Sequence, residues 1–396
     1  MNAKTKRQTL ITFYFIFILF GLSIITIDPL IPVISEQINV GFDRIGIALF
    51  AGSIAALLSN FIAGSLSDRL DIKKLVLFGL MLLSTGFVVF GTFLNYIMFI
   101  IVIILLRVGF GTIDTTIHSF SSKIFKKDIS RVFIKLDIAW YFGAFLGPLV
   151  ISVVLFFDFL PRYIFFIYAA VYAIFIVVFY RICPKRKIQD SGLPNFNRSS
   201  FISDKKQFLV LKDPVVIIGS FVLFFYLGAL MGLSSWMTTY LLSFGIKVAY
   251  GSAILSLYWL FSIIGMVITV KIISRVKEIN ILISGCLAGT ICLTLFCFVP
   301  DVFFKILILP IQAIFFAAIF PLTTSISAKR DKENSGTILG FTIAFAFAGS
   351  IVFQPVYGYI AEYLGKKYIA HLALVGSIIG LIFTIILFRI IQKEYT

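Results

Sequence analysis

Long runs of apolar residues, separated by short polar segments, dominate the sequence. Twelve of these runs are long enough to cross a bilayer as a helix, which takes roughly 20 residues. They lie at about 10–34, 44–66, 75–93, 97–120, 137–157, 163–182, 214–237, 251–271, 279–299, 304–327, 337–360 and 369–390. Within the runs, polar and apolar residues do not alternate as they do in the strands of a membrane barrel. The pattern therefore predicts an all-α membrane protein with twelve transmembrane helices.

One polar stretch, residues 183–213, is longer than the other connections and divides the runs into two sets of six. It contains Pro184 and Pro194 together with a cluster of Lys and Arg. We interpret it as a cytoplasmic linker. It would join an N-terminal six-helix bundle, residues 1–182, to a C-terminal six-helix bundle, residues 214–396.

The cationic residues are distributed unevenly between the two predicted sides of the membrane. If the N-terminus is cytoplasmic, 27 of the 34 Lys and Arg fall in cytoplasmic segments, six fall in external segments, and Arg107 lies inside a helix. Lys and Arg collect on the cytoplasmic side of membrane proteins. We therefore expect a multi-pass protein of the cell (inner or plasma) membrane with both termini in the cytoplasm, its basic loops facing the anionic leaflet.

The composition excludes several classes of protein. With 60% hydrophobic and only 13% charged residues, the chain has about half the charge of a conventional soluble enzyme. The membrane orientation accounts for the net charge of +16, so we expect no nucleic-acid partner. Four scattered cysteines without a CxxC pair, and only two histidines, predict neither a disulfide framework nor a metal site. We expect no cofactor.

The segment after the second predicted helix resembles a motif of the major facilitator superfamily, G-x-L-a-D-R-x-G-R-K. The matching positions are Gly64, Leu66, Asp68, Arg69 and Lys73, and the departures are Asp71 and Ile72. The resemblance implies the major facilitator fold, with two pseudo-symmetric six-helix bundles around a central cavity. It also implies a conformational latch formed by Gly64, Asp68, Arg69 and Lys73, in which the carboxylate pairs with nearby cations.

Two glycine patterns also resemble elements of this superfamily. Arg107 and Gly111 follow its R-x-x-x-G spacing in the fourth helix, and Gly143-x-x-x-Gly147-Pro148 is similar to an element of the fifth helix that is associated with antiporters. Glycines four residues apart also allow two helices to pack closely. Both antiport and simple packing therefore remain open at this point.

Four short pieces resemble the fucose/proton symporter group within the superfamily. They are Asp28–Pro32, Gly109–His118, Tyr226–Ala229 with Trp236, and Phe320-Pro321 with Gly336 and Gly358–Ala361. The sequence departs from that group at Asp114, where the group has Glu, at His118, where it has Asn, and at Leu230, where Gln is common. The resemblance implies that Asp28 and Asp114 serve substrate binding and proton coupling.

Charged residues inside the membrane are functional candidates, since each costs about 3 kcal/mol to insert. Asp28, Arg107 and Asp114 lie well inside predicted helices, whereas Asp137 lies at the end of the fifth and would be interfacial. His118 follows Asp114 by one helical turn. A carboxylate balanced between burial and a nearby cation can take up and release a proton. We predict that Asp28, Arg107, Asp114 and His118 bind the substrate or the coupling proton. Structural ion pairing, or for His118 a plain helix hydrogen bond, is the alternative.

The predicted C-terminal bundle offers neutral polar and aromatic side chains instead. Tyr226, Trp236, Gln312 and Gln354 are its candidate substrate-binding residues, since amides give directional hydrogen bonds and an aromatic face can stack on a sugar. Tyr and Trp are also common at membrane interfaces, so a structural role is open for each.

Together these features predict a secondary active transporter that takes up a small polar solute, such as a sugar, by alternating access. The expected partners are the solute, a proton or sodium as coupling ion, and the lipid bilayer, and we expect a monomer. A drug/proton antiporter is the first alternative, and a non-transporting membrane sensor is the second. A membrane enzyme is not expected, because the sequence has no nucleophile motif and no His/Asp cluster.

Overall fold

The structure is a computed structural model of the chain, and it describes residues 3–67, 70–92, 95–124, 129–182, 212–331 and 335–395. Before residue 183, the described residues form seven α-helices. They are α1 (Ala3–Ile25), α2 (Ile31–Gln37), α3 (Phe42–Ser67), α4 (Ile72–Gly91), α5 (Tyr96–Ile124), α6 (Ile129–Phe156) and α7 (Arg162–Ile182). Seven more follow residue 212. They are α8 (Pro214–Leu242), α9 (Val248–Ile272), α10 (Glu278–Phe298), α11 (Val302–Phe316), α12 (Ile319–Ala328), α13 (Ser335–Tyr359) and α14 (Ile369–Tyr395). The described residues include no β-strand.

By length and composition, eleven helical stretches of the described chain could cross a membrane. The last of them, Ile338–Glu394, is 57 residues long, far more than the roughly 20 residues that one crossing needs. It holds both α13 and α14, which a π-helical turn (Ile360–Gly365) and a 3-10 turn (Lys366–Tyr368) connect. The described residues therefore provide twelve spans, and the prediction of a twelve-helix, all-α membrane protein is confirmed.

Prolines interrupt two spans that the sequence pattern predicted as continuous helices. The first span stops at Ile25, forms a 3-10 turn over Asp28–Leu30, and resumes as α2. Pro29 occupies the first turn of that 3-10 segment. The tenth span stops at Phe316 and resumes at Ile319, with Pro321 in the first turn of α12. Proline lacks an N–H group and its ring clashes with the carbonyl four residues earlier, so the helix breaks just before it.

The chain divides into two compact units. The first contains the helices up to α7 and also Ile246–Ser256, which includes the start of α9, and the second contains the remaining helices from α8 onward. Most of the polar stretch that we interpret as a linker, residues 183–211, lies outside the described residues. The limits at residues 182 and 214 stay a prediction.

Glycines bring α1 and α6 into direct backbone contact in the first unit. A Cβ atom built on Gly143 would collide with the carbonyl oxygen of Ile18 and would lie 2.7 Å from the amide nitrogen of Leu22. A Cβ on Gly21, across the same interface, would collide with the carbonyl oxygen of Trp140. Packing of small residues drives helix association in lipid. Close packing thus accounts for the glycine pattern that also resembled an antiporter element.

Lys305, assigned to an external loop by the charge pattern, is instead buried near the start of α11. Its side chain is 3% exposed, and its Nζ donates hydrogen bonds to the carbonyl oxygens of Phe296 and Cys297, at 2.5 and 3.2 Å. These carbonyls end α10, where the helix dipole favours a cation. The ring of Phe244, 5.4 Å from Nζ, adds a cation–π contact.

Arg330 joins three helix ends of the second unit. Its Nε donates to Oδ2 of Asp213 at 3.0 Å, and its Nη1 and Nη2 donate to the two carboxylate oxygens of Glu394 at 2.5 and 2.7 Å. Asp213 also caps α8 by accepting a hydrogen bond from the backbone N–H of Val215. The bonds to Glu394, and then those to Asp213, raise the pKa of Arg330 above its ordinary value. The guanidinium therefore stays charged.

Replacing Arg330 with Gln should destabilise the second unit modestly. The side chain is 28% exposed, and exposed ion pairs contribute up to about 1 kcal/mol, which corresponds to a fall of about 2–4 °C in the midpoint of thermal unfolding. High salt should shrink the difference from the wild type, because it screens surface charges. Arg275→Gln, at an exposed position in the same unit, is the control. Equal midpoints for the two variants would show that the three-helix contact adds no stability.

Candidate functional site

A cavity in the first unit contains two of the predicted membrane-embedded charges, Asp28 and Arg107. The cavity is small: the space that a water-sized sphere can occupy is about 10 Å³, roughly what one water molecule needs. The other lining residues are apolar: Ile24, Ile27, Leu49, Ile103 and Leu106. One carboxylate and one guanidinium thus face an otherwise apolar space. Each can form directional hydrogen bonds with a polar ligand.

The interruption of the first span positions Asp28 in this cavity. Asp28 is the first residue of the 3-10 turn between α1 and α2, and its side chain is only 5% exposed. Arg107 comes from the middle of α5, and Gly52 of α3 makes room for its stem. A Cβ on Gly52 would lie 3.2 Å from Cγ of Arg107. The two charges act on each other electrostatically.

This arrangement separates Arg107 from Asp114, the other acidic candidate on α5. The sequence left open whether Arg107 neutralises Asp28, neutralises Asp114 or binds a substrate carboxylate. Among the described residues, the charge that acts on Arg107 is Asp28. Asp114 lies seven positions after Arg107 on this helix, which is a distance of about 10 Å along the axis. The charged candidate residues therefore form two separate groups within the first unit.

Asp114 and His118 form the second of these groups. Nδ1 of His118 lies 3.3 Å from Oδ1 of Asp114 and 2.9 Å from the backbone oxygen of the same residue. Both side chains are 27% exposed. The imidazole packs edge-on against Phe17 of α1 and Phe133 of α6, with ring centroids 5.4 and 4.7 Å apart. A carboxylate and an imidazole at this spacing can hold a proton between them.

Asp137 belongs with this pair, although the sequence pattern placed it at the membrane interface and it was not among the predicted site residues. It lies on α6, one turn after Phe133, and acts electrostatically on both His118 and Asp114. The i, i+4 relation to Phe133 puts the two side chains on one face of α6. The sequence alone does not show that this face of α6 meets α5. Nothing in the sequence therefore indicated Asp137 as a site residue.

The structure describes only part of the predicted latch. Asp68 and Arg69 lie outside the described residues. A Cβ on Gly64 would lie 3.7 Å from Cγ2 of Thr115, an ordinary contact. Lys73 is 8% exposed, and its Nζ lies 4.4 Å from the centre of the Tyr180 ring. The latch itself stays a prediction.

One of the two departures from the superfamily motif has a clear local function. Asp71, which stands in place of the motif's second glycine, caps the N-terminus of α4. Its Oδ1 accepts a hydrogen bond from the backbone N–H of Lys73 at 3.0 Å. Such a cap satisfies a helix N–H group that has no partner within the helix.

In the second unit, the structure brings together two of the four predicted binding residues. Nε1 of Trp236 donates a hydrogen bond to Oε1 of Gln354 at 2.9 Å. Trp236 is fully buried and Gln354 is 5% exposed. The bond joins α8 to α13, which also meet where the hydroxyl of Tyr357 donates to the carbonyl oxygen of Ala229. A structural role in helix packing therefore explains both side chains without a ligand.

The other two predicted residues, Gln312 and Tyr226, are also buried. Tyr226 is 1% exposed and packs edge-on against Phe316, with ring centroids 5.3 Å apart. Gln312 on α11 is fully buried, and neither its amide nitrogen nor its amide oxygen has a hydrogen-bond partner among the described residues. An unmade hydrogen bond of this kind costs about 1–3 kcal/mol, so Gln312 is suited to bind a polar group that reaches it.

Comparison with known proteins identifies the family. The sequence model described as Major Facilitator Superfamily matches residues 13–350. No curated protein shows significant similarity to this sequence. In the described part of the chain, no group of three or more His, Cys, Asp or Glu side chains is arranged to hold a metal ion.

Several solved structures share the fold. A bacterial homologue of the human lysosomal transporter Spinster has a TM-score of 0.81 at 13% identity, covering 100% of this chain and 99% of its own. A D-xylose–proton symporter has a TM-score of 0.77 at 12% identity, covering 95% and 96%. The Major Facilitator Superfamily transporter FucP has a TM-score of 0.64 at 16% identity, covering 96% and 98%. Family and fold agree with the twelve spans, and the chain belongs to the major facilitator superfamily of integral membrane transporters.

Proposed function

We propose that this protein is a proton-coupled transporter that takes up a small, neutral, polar solute, with a sugar as the first candidate. The observation that carries the proposal is the placement of Asp28 and Arg107 around one small cavity, which would widen to admit a solute as access alternates between the two sides of the membrane. The two charges sum to zero, so the cavity favours a neutral ligand over an ion. A carboxylate accepts and a guanidinium donates hydrogen bonds, and a hydroxyl-rich solute offers partners to both.

The second group of charges supports coupling to protons. Asp114 and His118 lie on the same helix as Arg107, about 10 Å along its axis from the cavity. An imidazole can take up and release a proton, and a carboxylate beside it favours the protonated form. Solute and proton would thus use separate sites on one helix, and a movement of α5 would affect both. Membership of a transporter family, rather than an enzyme family, agrees with this function.

The similarity to a D-xylose–proton symporter and to FucP is at the level of the fold, and it agrees with a sugar without selecting one. The glycine element that resembled antiporters is accounted for by the packing of α1 on α6. We further propose that both termini lie in the cytoplasm, because 27 of 34 cationic residues would then face it.

Purified protein should reveal its solute class in a thermal-shift screen, because a bound ligand raises the apparent stability of the folded state. Sugars, amino acids, organic acids and lipophilic cations form the test set. We expect neutral sugars to raise the unfolding midpoint and Asp28→Asn to remove that rise. If lipophilic cations were the only ligands, uptake of a polar solute would be rejected in favour of efflux.

The screened solute should then accumulate in liposomes against its gradient when a pH gradient is imposed. Asp114→Asn should abolish this accumulation and leave solute exchange partly intact, because the solute site is separate from the proton site. Asp158→Asn, at an exposed position in the same unit, is the matched control. Accumulation driven by a sodium gradient alone would replace the proton with sodium as the coupling ion. Unchanged accumulation by Asp114→Asn would show that Asp114 does not couple.

A further inference from the structure

His118 lies between two aromatic rings that come from different helices, and two carboxylates act on it electrostatically. Phe17 of α1 and Phe133 of α6 contact the imidazole edge-on, at interplanar angles of 70° and 78°. Asp114 lies one turn before His118 on α5, and Asp137 lies one turn after Phe133 on α6. The rings limit the positions that the imidazole can take, and the carboxylates supply negative charge.

The two carboxylates give this group an excess of negative charge, which a proton on His118 reduces. Asp114 and Asp137 each act on His118 and on each other. With a neutral imidazole, the two carboxylates would repel each other in a partly dry setting, and an imidazolium relieves that repulsion. A proton on His118 therefore acts on both carboxylates at once.

Among the side chains that the structure describes, few other titratable groups face this cluster from the helices around it. On α6, Tyr141 lies one turn beyond Asp137 and acts on it electrostatically, while Lys135 is exposed. On α1, Tyr14 lies three residues before Phe17. From α3, Asn60 approaches the next residue of α5, where Thr115 donates to its Oδ1 at 3.1 Å. In this described part of the chain, the negative charges acting on the imidazole are those of Asp114 and Asp137.

We propose that Asp114, His118 and Asp137 form one proton-binding cluster, in which Asp137 sets the proton affinity of His118. This deepens the proposed function, on which it rests, by assigning the coupling proton to a shared site on α5 and α6 instead of to Asp114 alone. A small displacement of α6 relative to α5 would move Asp137 away from the imidazole and release the proton. Asp137 is thus a positioning residue for the proton and does not contact the solute.

Histidine-selective isotope labelling tests the cluster without any knowledge of the solute. The chain has only two histidines, and the His118→Asn variant identifies which NMR signal belongs to which residue. We would follow the His118 signal against pH in purified protein. In Asp114→Asn the proton affinity of His118 should fall about tenfold or more, and in Asp137→Asn about threefold or more, because each variant removes one carboxylate charge.

Two controls separate a charge effect from a structural one. Asp137→Glu keeps the carboxylate and should titrate like the wild type. Asp158→Asn removes an exposed carboxylate of the same unit, and since Asp158 has a positive φ of 56°, which Asn tolerates well, it should fold and titrate normally. If Asp137→Asn does not yield folded protein, Asp137→Ser gives the same readout. An unchanged His118 titration in a folded Asp137 variant that lacks the carboxylate would overturn the cluster.

The two proposals fail in different ways. If His118 titrates as expected but no solute accumulates under a pH gradient, the proton-binding cluster stands and proton-coupled uptake is wrong. If a solute accumulates and Asp137→Asn changes neither the titration of His118 nor the pH dependence of uptake, the transporter assignment stands and the cluster is wrong.

Discussion

Gly143→Leu should prevent the first unit from folding. A side chain at this position would enter the backbone of α1, where the carbonyl oxygen of Ile18 and the amide nitrogen of Leu22 already occupy the space. Overpacking costs typically 1–3 kcal/mol even where flexible side chains can move aside. Here the obstacle is helix backbone, so α1 and α6 would have to separate along much of their interface.

Size-exclusion chromatography of detergent-solubilised protein measures the effect. We expect almost all Gly143→Leu protein to elute as aggregate and Gly143→Ala to show a partial loss. Gly340→Leu is the matched control, because a Cβ on Gly340 meets no atom within 4 Å. A monodisperse Gly143→Leu protein with the thermal midpoint of the wild type would show that α1 and α6 are not in backbone contact.

Arg107→Ala should both destabilise the protein and abolish solute binding. The guanidinium supplies the positive charge that acts on Asp28, whose side chain is 5% exposed. Removing one partner of a buried ion pair costs on the order of 3 kcal/mol. The same change removes the cavity's hydrogen-bond donor, so the solute should lose one of its two charged contacts.

A double variant distinguishes these two effects. Asp28→Asn combined with Arg107→Gln removes both charges, so the thermal midpoint should recover most of the loss seen for Arg107→Ala, whereas solute binding should stay absent. Arg162→Gln, at an exposed position of α7, should change neither property. If the double variant were no more stable than Arg107→Ala, the two residues would not be a charge pair. If Arg107→Ala bound the solute normally, the cavity would not be the binding site.

Much of the fold could be predicted because lipid imposes a simple length rule. A helix must present roughly 20 apolar residues to cross the hydrocarbon, and the polar segments between the runs mark where each crossing ends. The same rule does not locate a break within a span. The stops at Ile25 and Phe316 depend on Pro29 and Pro321, and proline inside other spans did not end the helix, as at Pro148 and Pro310.

The candidate site was less predictable because every face of these helices is apolar. In a water-soluble protein, the hydrophobic stripe of a helix marks the side that packs inward. Here Phe13 is fully buried while Phe61 is 77% exposed, although both are phenylalanines within membrane-spanning helices. The sequence could place Asp137 on a helix but could not show that it faces α5.

The sequence by itself determined the number of spans, the class of protein and the small set of charges within the membrane, since each follows from the cost of exposing a residue to lipid. Only the tertiary structure decided which charges act on one another. Arg107 shares a cavity with Asp28 and is influenced by it rather than by Asp114, Asp137 acts on His118, and Lys305 is buried at the end of α10. Helix periodicity fixes which residues share a face, but contacts between helices depend on how the side chains of both partners fit together.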